Sequence, residues 1–281
     1  MRNRKHYFNE KYFDSIDSEE KVYWLGFFYA DGNVCGTKFT CALKADDASH
    51  LQRFLYDIQA NDVELKYNTT NLNTISVGFY LCSAYLVCRL KELGFVERKT
   101  YVNSDYIFTQ IPDSFKVDFI RGYWDGNGCI QLRINSPMIS VVCLNLELLT
   151  EFCNFINLYF NNENYAKVIK DGNGYYRIII TGERAKAVCH MLYDNSTIYL
   201  ERKYRVYLKS KTYDKNYHGI RMRKNGRYQA YIKVNGAQRS LGAYDTIKEA
   251  LDAYNNATKG TNIQPQKYYG ESLMRSNNRI V

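Results

Sequence analysis

Two ten-residue segments of the chain each end on an oxygen-bearing side chain followed by glycine: Tyr23-Trp24-Leu25-Gly26-Phe27-Phe28-Tyr29-Ala30-Asp31-Gly32 and Phe119-Ile120-Arg121-Gly122-Tyr123-Trp124-Asp125-Gly126-Asn127-Gly128. Bulky residues at 23, 24, 27 and 28, and again at 119, 120, 123 and 124, recur at helical spacing, so each segment predicts the closing turns of a helix. A carboxylate at a helix C-terminus faces the negative end of the dipole, which disfavours it unless a cation is bound nearby. Asp31 falls at such an end. Two ends of this kind side by side would form a divalent-cation site, and oxygen donors select a hard ion, Mg²⁺ or Mn²⁺. The competing reading is Asp31 as a plain turn residue, because Asp-Gly is a common turn pair.

Positioning such a site requires that the helices meet. Helix-start signals precede each segment, Asp17-Ser18 with Glu20 in the first and Pro112-Asp113-Ser114 in the second. Gly26 and Ala30, like Gly122 and Gly126, put small residues four apart on one helical face. Glycine inside a helix costs about 1 kcal/mol against alanine, and close approach of two backbones is the compensating gain, so the two helices are expected to pack on each other. The similarity continues downstream. Strands are predicted over Val34 to Lys44 and Cys129 to Leu144, helices over Asp47 to Gln59 and Leu146 to Phe160, strands over Leu65 to Tyr80 and Tyr165 to Thr181, and helices over Ser83 to Leu93 and Arg184 to Tyr193. A basic step, Val96-Glu97-Arg98-Lys99 and Leu200-Glu201-Arg202-Lys203, closes each half. The chain reads as a tandem α/β duplication.

With 46% apolar residues and 3 Pro, the 281 residues can bury a core, which excludes disorder over most of their length. The apolar run from Val22 to Ala30 is about half of what a bilayer span needs, and Arg2, Arg4 and Lys5 are followed by polar residues, so neither a membrane nor a secreted protein is expected. The eight cysteines show no Cys-x-x-Cys pattern and read as reduced core residues; Cys189 and His190, neighbours on a helix, point to different faces and make a poor nucleophile pair. Charge is unevenly spread. Residues 1–204 carry 23 basic and 24 acidic side chains, residues 205–281 carry 15 and 5, so the basic end supplies attraction to a polyanion, most often nucleic acid.

Trp24–Gly32 and Ile120–Gly128 resemble the two signature helices of a single-chain LAGLIDADG homing endonuclease, and the resemblance covers roughly residues 10–210. It implies an α+β fold of tandem pseudo-twofold αββαββα repeats whose sheets form a saddle over duplex DNA, and metal-dependent hydrolysis of phosphodiester bonds. It also assigns metal-binding positions to Asp31 and Asn127, helped by the backbone carbonyls of Ala30 and Gly126. Asn127 departs from the family pattern, because an amide offers an oxygen but no charge. Such a site would nick one strand, cut poorly or be inactive. Lys99 and Lys203 take the places of the basic residues near each scissile phosphate, and ordinary surface lysine is the alternative for both. On the strands, Lys38, Lys44, Arg133, Lys167 and Arg177 are candidate DNA contacts.

Beyond Lys209 to Asn216, Asn225-Gly226 and Asn235-Gly236 predict hairpins, hence three short antiparallel strands. Thr246 with Glu249 forms a capping box ahead of Ile247, Ala250, Leu251 and Tyr254, so a helix with one apolar stripe should cover that sheet. By alternation, Ile220, Met222, Ala230, Ile232 and Val234 face it, leaving Arg221, Arg223, Gln229, Tyr231 and Lys233 on the open face for DNA, with Arg227 and Arg239 as further contacts. Residues 217–258 are similar to the DNA-binding domain of plant ethylene-response factors, with Tyr228 near the place of that family's tryptophan.

The expected organisation is a first half over 1–110, a second over 111–211, the small DNA-binding domain over 212–260 and a flexible tail over 261–281. The expected protein is a monomeric endonuclease of intron or phage type, acting on double-stranded DNA at a long, asymmetric site in a prokaryotic or phage-infected cytoplasm. A DNA-binding regulator that has lost cleavage and an RNA-binding splicing maturase share the fold and stay open as readings. An intein is not expected, as the chain lacks the Cys/Ser start and His-Asn finish of self-splicing.

Overall fold

The computed structural model describes residues 6–69, 74–97, 103–133, 136–211, 219–223, 225–234, 236–263 and 265. Lys99 lies outside them, as does the side chain of Arg133. The chain divides into two compact units, a large one of Met1–Gln131 with Ser136–Tyr207 and a small one of Leu208–Val281 with Leu132–Asn135.

In the large unit the order is α1 (Glu19–Asp31), β1 (Gly32–Cys35), β2 (Lys38–Lys44), α2 (Ala48–Asp57), β3 (Lys66–Thr69), β4 (Ile75–Cys82) and α3 (Ala84–Glu92), then a short α4 (Tyr106–Thr109). The sequence of elements then repeats as α5 (Lys116–Asn127), β5 (Gly128–Arg133), β6 (Ser136–Cys143), α6 (Leu146–Tyr159), β7 (Val168–Lys170), β8 (Tyr176–Thr181) and α7 (Gly182–Tyr193). The Ser18 side chain caps α1 by accepting from the Lys21 amide. The second copy starts differently: a 3-10 turn occupies Asp113–Phe115 and α5 begins only at Lys116, without a side-chain cap.

Both four-stranded sheets have the same order, β1-β2-β4-β3 and β5-β6-β8-β7. One face of each is buried under helices. Phe39, Cys41, Val77, Phe79 and Leu81 meet α2 and α3, with the Phe54 ring 4.4 Å from Phe28 and 5.4 Å from Phe79. In the second sheet Ile139, Val141, Ile178 and Ile180 are the buried set. Lys167, placed on a strand by its neighbours' pattern, precedes β7 and sits in the loop.

Two elements differ from the sequence expectation. Glu201–Lys211 is a helix, α8, where the pattern suggested a basic step running into a polar stretch. Its Tyr204 stacks on Tyr199 at 3.7 Å and its Tyr207 on Tyr193 at 5.3 Å, and the three-residue spacing of those tyrosines was the available signal. The cysteines are not all core residues either. Cys41, Cys153 and Cys189 are buried, but Cys35, Cys82 and Cys88 are exposed; Cys35 and Cys82 lie on strands, where a small residue goes wherever its parity sends it, and Cys88 is on α3.

In the small unit β9 (Ile220–Met222), β10 (Tyr228–Val234) and β11 (Ala237–Tyr244) form an antiparallel sheet of order β11-β10-β9, followed by α9 (Ile247–Thr258). Both turns use glycine in the left-handed region, Gly226 at φ 80° and Gly236 at φ 82°. The Thr246–Glu249 capping box is present, and Ala250, Leu251 and Tyr254 bury Ala230 and Ile232 beneath them. No helix among the described residues is long and apolar enough to cross a membrane.

Candidate active site

Helices α1 and α5 touch backbone to backbone. A Cβ added at Gly26 would stand 2.1 Å from the Phe119 carbonyl oxygen, and one at Gly122 would stand 2.0 Å from that of Tyr23. At the C-terminal ends, a Cβ on Gly126 would meet the Ala30 Cβ at 2.4 Å and the Asp31 Oδ2 at 3.4 Å. The small-residue stripe therefore does one thing: it brings the two helix ends together, with Asp31 beside Gly126, the residue before Asn127.

The two positions look into different surroundings. Asp31 is half-buried and lines a depression of about 390 Å³ with Asn33, Thr40, Lys66, Asn68 and Tyr80. Asn127 is exposed at a recess of about 40 Å³ shared with Tyr29, Ala30, Tyr123, Cys143 and Asn145, where its amide donates to the Tyr123 hydroxyl at 3.4 Å. The site is asymmetric in shape as well as in charge.

Beneath it lies a buried polar network centred on Asp125, whose carboxylate accepts from the Tyr23 hydroxyl at 2.9 Å, the Tyr193 hydroxyl at 2.6 Å and the Leu200 amide at 2.7 Å. Burial raises the Asp125 carboxyl above its usual range, opposed mainly by the charge of Lys203. The Lys203 ammonium donates to the carbonyls of Trp124 at 2.7 Å and Asp125 at 2.5 Å. It thus closes the end of α5 with a cation, the sign the dipole favours there. Lys203 is 4% exposed, so it is not the surface lysine that its sequence context allowed. Burial lowers it to about 8, while the negative charges of Asp125 and Asp31 pull it back up, which places Lys203 within electrostatic reach of Asp31. His50 Nε2 stands 2.9 Å from the Tyr23 hydroxyl, and burial lowers this imidazole to about 3, so it is neutral at neutral pH. Arg121, also buried, pairs with Glu19 at 2.6 Å and Asp118 at 2.8 Å and donates to the Leu192 and Ile198 carbonyls. Arg121 and Asp125, which have no counterpart in the first copy, lock the helix pair to the segment before α8; in the sequence they show only as places where the two copies differ.

The open faces of the sheets follow from register. On the first, cross-strand rows run Cys35–Lys38–Cys82, Asn33–Thr40–Tyr80, Ala42–Gly78–Lys66 and Lys44–Ser76–Asn68. Lys38 and Lys44 are exposed there, joined by Lys66, Asn68, Asn33, Thr40 and Tyr80, which sequence reading did not single out. The Lys66 ammonium lies 4.6 Å over the Tyr80 ring. On the second sheet Arg177 is on the open face and paired with Asp171, and Lys167 is exposed in its loop.

In the small unit one open-face residue is covered. Gln229 is only 7% exposed, because its Oε1 accepts from Arg221 Nε at 3.0 Å and Arg223 Nε at 3.2 Å while its amide donates to Ser240 Oγ at 3.3 Å. It holds the two arginines instead of standing free. Arg239 is cross-strand from Ile232, hence on the side that α9 covers, although exposed. Arg227 is tied to Asp245 at 2.8 Å and to the Ala243 carbonyl at 2.9 Å. Lys233 is exposed, and the Arg221 guanidinium lies 5.6 Å over the Tyr231 ring.

Among the described residues no group of three or more His, Cys, Asp or Glu could hold a metal by itself. The donors at the helix ends, one carboxylate, one amide oxygen and backbone carbonyls, are all hard oxygens. They fit a cation such as Mg²⁺, which keeps few protein ligands and takes the rest from water and substrate phosphates.

Residues 114–192 match the sequence profile described as a LAGLIDADG-like domain. Among solved structures, the homing endonuclease I-WcaI bound to its DNA recognition sequence superposes with a TM-score of 0.50 at 11% identity, covering 68% of this chain and 87% of that one. The LAGLIDADG meganuclease I-AabMI bound to uncleaved DNA gives 0.47 at 12% identity over 68% and 89%. The N-terminal LAGLIDADG domain of DUF199/WhiA gives 0.40 at 16% over 70% and 92%. No curated protein matches the chain. The fold is that of the LAGLIDADG homing endonucleases, with a small three-stranded sheet and helix added.

Proposed function

We propose that the protein is a site-specific endonuclease hydrolysing phosphodiester bonds of duplex DNA, organised as two LAGLIDADG halves over 1–110 and 111–211, an ethylene-response-factor-like DNA-binding domain over 212–260 and a tail over 261–281. The observation that supports this reading is the abutment of α1 and α5, which sets Asp31 beside Gly126 where β1 and β5 leave the two helices. The Asp31 carboxylate, the Asn127 amide oxygen and the carbonyls of Ala30 and Gly126 would hold Mg²⁺ or Mn²⁺. When bound, such a cation polarises the phosphate and makes a water acidic enough to attack. Asp31 supplies the negative charge that attracts it, and Asn127 supplies orientation without charge. Lys203 keeps positive potential beneath the site, and we assign the equivalent role in the first half to Lys99. Lys38, Lys44, Arg133, Lys167 and Arg177 would grip the target, a long asymmetric duplex bound by one copy of the chain.

Asn127 also favours a second reading, a DNA-binding regulator without cleavage, and plasmid nicking separates the two. If the second site is only short of one negative charge, the wild type cuts one strand faster than the other. Asn127→Asp, nearly isosteric, should then lower the ratio of nicked to linear product from a supercoiled target severalfold. Equal ratios for both proteins would refute the charge argument, and no product from either would support the regulator.

In the small unit, Arg221 and Arg223 braced on Gln229 are a pre-set pair of donors for DNA. Removing residues 212–281 takes away most of the net positive charge. For every phosphate that the shortened chain no longer neutralises, the slope of log K against log salt should fall by about 0.9. Fluorescence anisotropy at several salt concentrations reads this directly; an unchanged slope would show that this unit does not touch the DNA.

A further inference from the structure

The open faces of the two four-stranded sheets carry different chemistry. The first is polar and basic, with Lys38, Lys44, Lys66, Asn33 and Asn68 on it. On the second, the cross-strand rows are Val142–Arg177–Ile169, Ser140–Ile179 and Met138–Thr181. Val142 is 37% and Ile169 50% exposed. The water-facing side of an antiparallel sheet ordinarily carries polar residues, and an aliphatic cluster left there marks a surface that something covers.

The cover must suit basic surroundings. Lys167 is exposed in the loop just before β7, and Arg177 stands within the cluster, partly neutralised by Asp171. The face is also continuous with the surface assigned to DNA, since β1 leaves α1 at Gly32 and β5 leaves α5 at Gly128, just past the point where the helix ends abut. In the major groove the one apolar group offered by the base edges is the C5-methyl of thymine.

We propose that the second sheet reads its half of the target by packing Val142, Ile169 and Ile179 against thymine methyl groups, while the first sheet reads its half through hydrogen bonds. The half-site on the second sheet is therefore rich in thymine. This inference rests on the reading of the protein as a DNA endonuclease.

The test begins with duplexes retained by the full chain from a random library. In the selected target, thymidine is replaced by deoxyuridine one half at a time, which removes methyls and leaves pairing intact. Binding should weaken about four-fold for each buried methyl removed, equivalent to about 0.8 kcal/mol, in one half-site, and by less than about two-fold in the other. Val142→Thr and Ile169→Thr, exposed strand positions where threonine is well tolerated, identify the sensitive half as that of the second sheet: in these variants the uracil penalty should shrink to below about two-fold. A selected target whose uracil sensitivity is absent, equal in both halves or untouched by the two variants overturns this inference alone. A DNA-free dimer that Val142→Thr converts to monomer also overturns it, by making the face a contact between copies. Failure to retain any preferred duplex overturns the endonuclease reading and this inference with it.

Discussion

Asp31→Asn should reduce single-turnover cleavage of a supercoiled target by about three orders of magnitude or more, equivalent to about 4 kcal/mol of transition-state stabilisation, with DNA affinity within a few-fold of wild type. The side chain makes the only signature carboxylate at the abutting helix ends, since its counterpart is Asn127. Its loss removes the charge that would hold the cation but no base or phosphate contact of the sheets. Stability supplies the control. A carboxylate at a helix C-terminus opposes the dipole while Lys203 within electrostatic reach attracts it, so the two effects offset and the neutral variant should melt within a few degrees of the wild type. Retained cutting by Asp31→Asn would sink the catalytic assignment. A large fall in melting temperature would make the residue structural instead.

Gly122→Ala should be the most damaging single methyl in the large unit. Its Cβ would lie 2.0 Å from the Tyr23 carbonyl oxygen and 2.8 Å from the Phe27 amide nitrogen, both backbone atoms of the facing helix. No rotamer relieves that overlap, so α1 and α5 must separate. Separation strains the bond between the Tyr23 hydroxyl and Asp125, leaving a fully buried carboxylate short of a donor. We expect a loss of about 4 kcal/mol or more, at the extreme of single substitutions, seen as an insoluble protein or a melting temperature lowered by well over ten degrees. Gly172→Ala, where nothing lies within 4 Å of the added atom, should change stability by no more than about 0.5 kcal/mol. Similar melting curves for the two variants would show that the helix pair does not depend on this approach.

Local information in the chain was enough to determine the repeat and its helices. Trp24, Phe27 and Phe28 recur at helical spacing, small residues fall four apart, and Asn225-Gly226 and Asn235-Gly236 turn the hairpins of the small sheet. These patterns work because helix period and turn chemistry are properties of a few neighbouring residues. Tertiary structure decided what the charged and polar residues became. Lys203 carries the same local signature as a surface lysine, yet packing seals it against the Trp124 and Asp125 carbonyls. Gln229 alternates onto an open face and is then covered by the two arginines it holds. Lys66 joins Ala42 and Gly78 in one row only through the register of β3 on β4 and of β4 on β2. A side chain's solvation is set by neighbours far away in sequence, and a one-residue change of register would send each strand residue to the other face; for that reason the lysines of the first sheet's open face and the aliphatic residues Val142, Ile169 and Ile179 on the second became visible as groups only once the strands were paired.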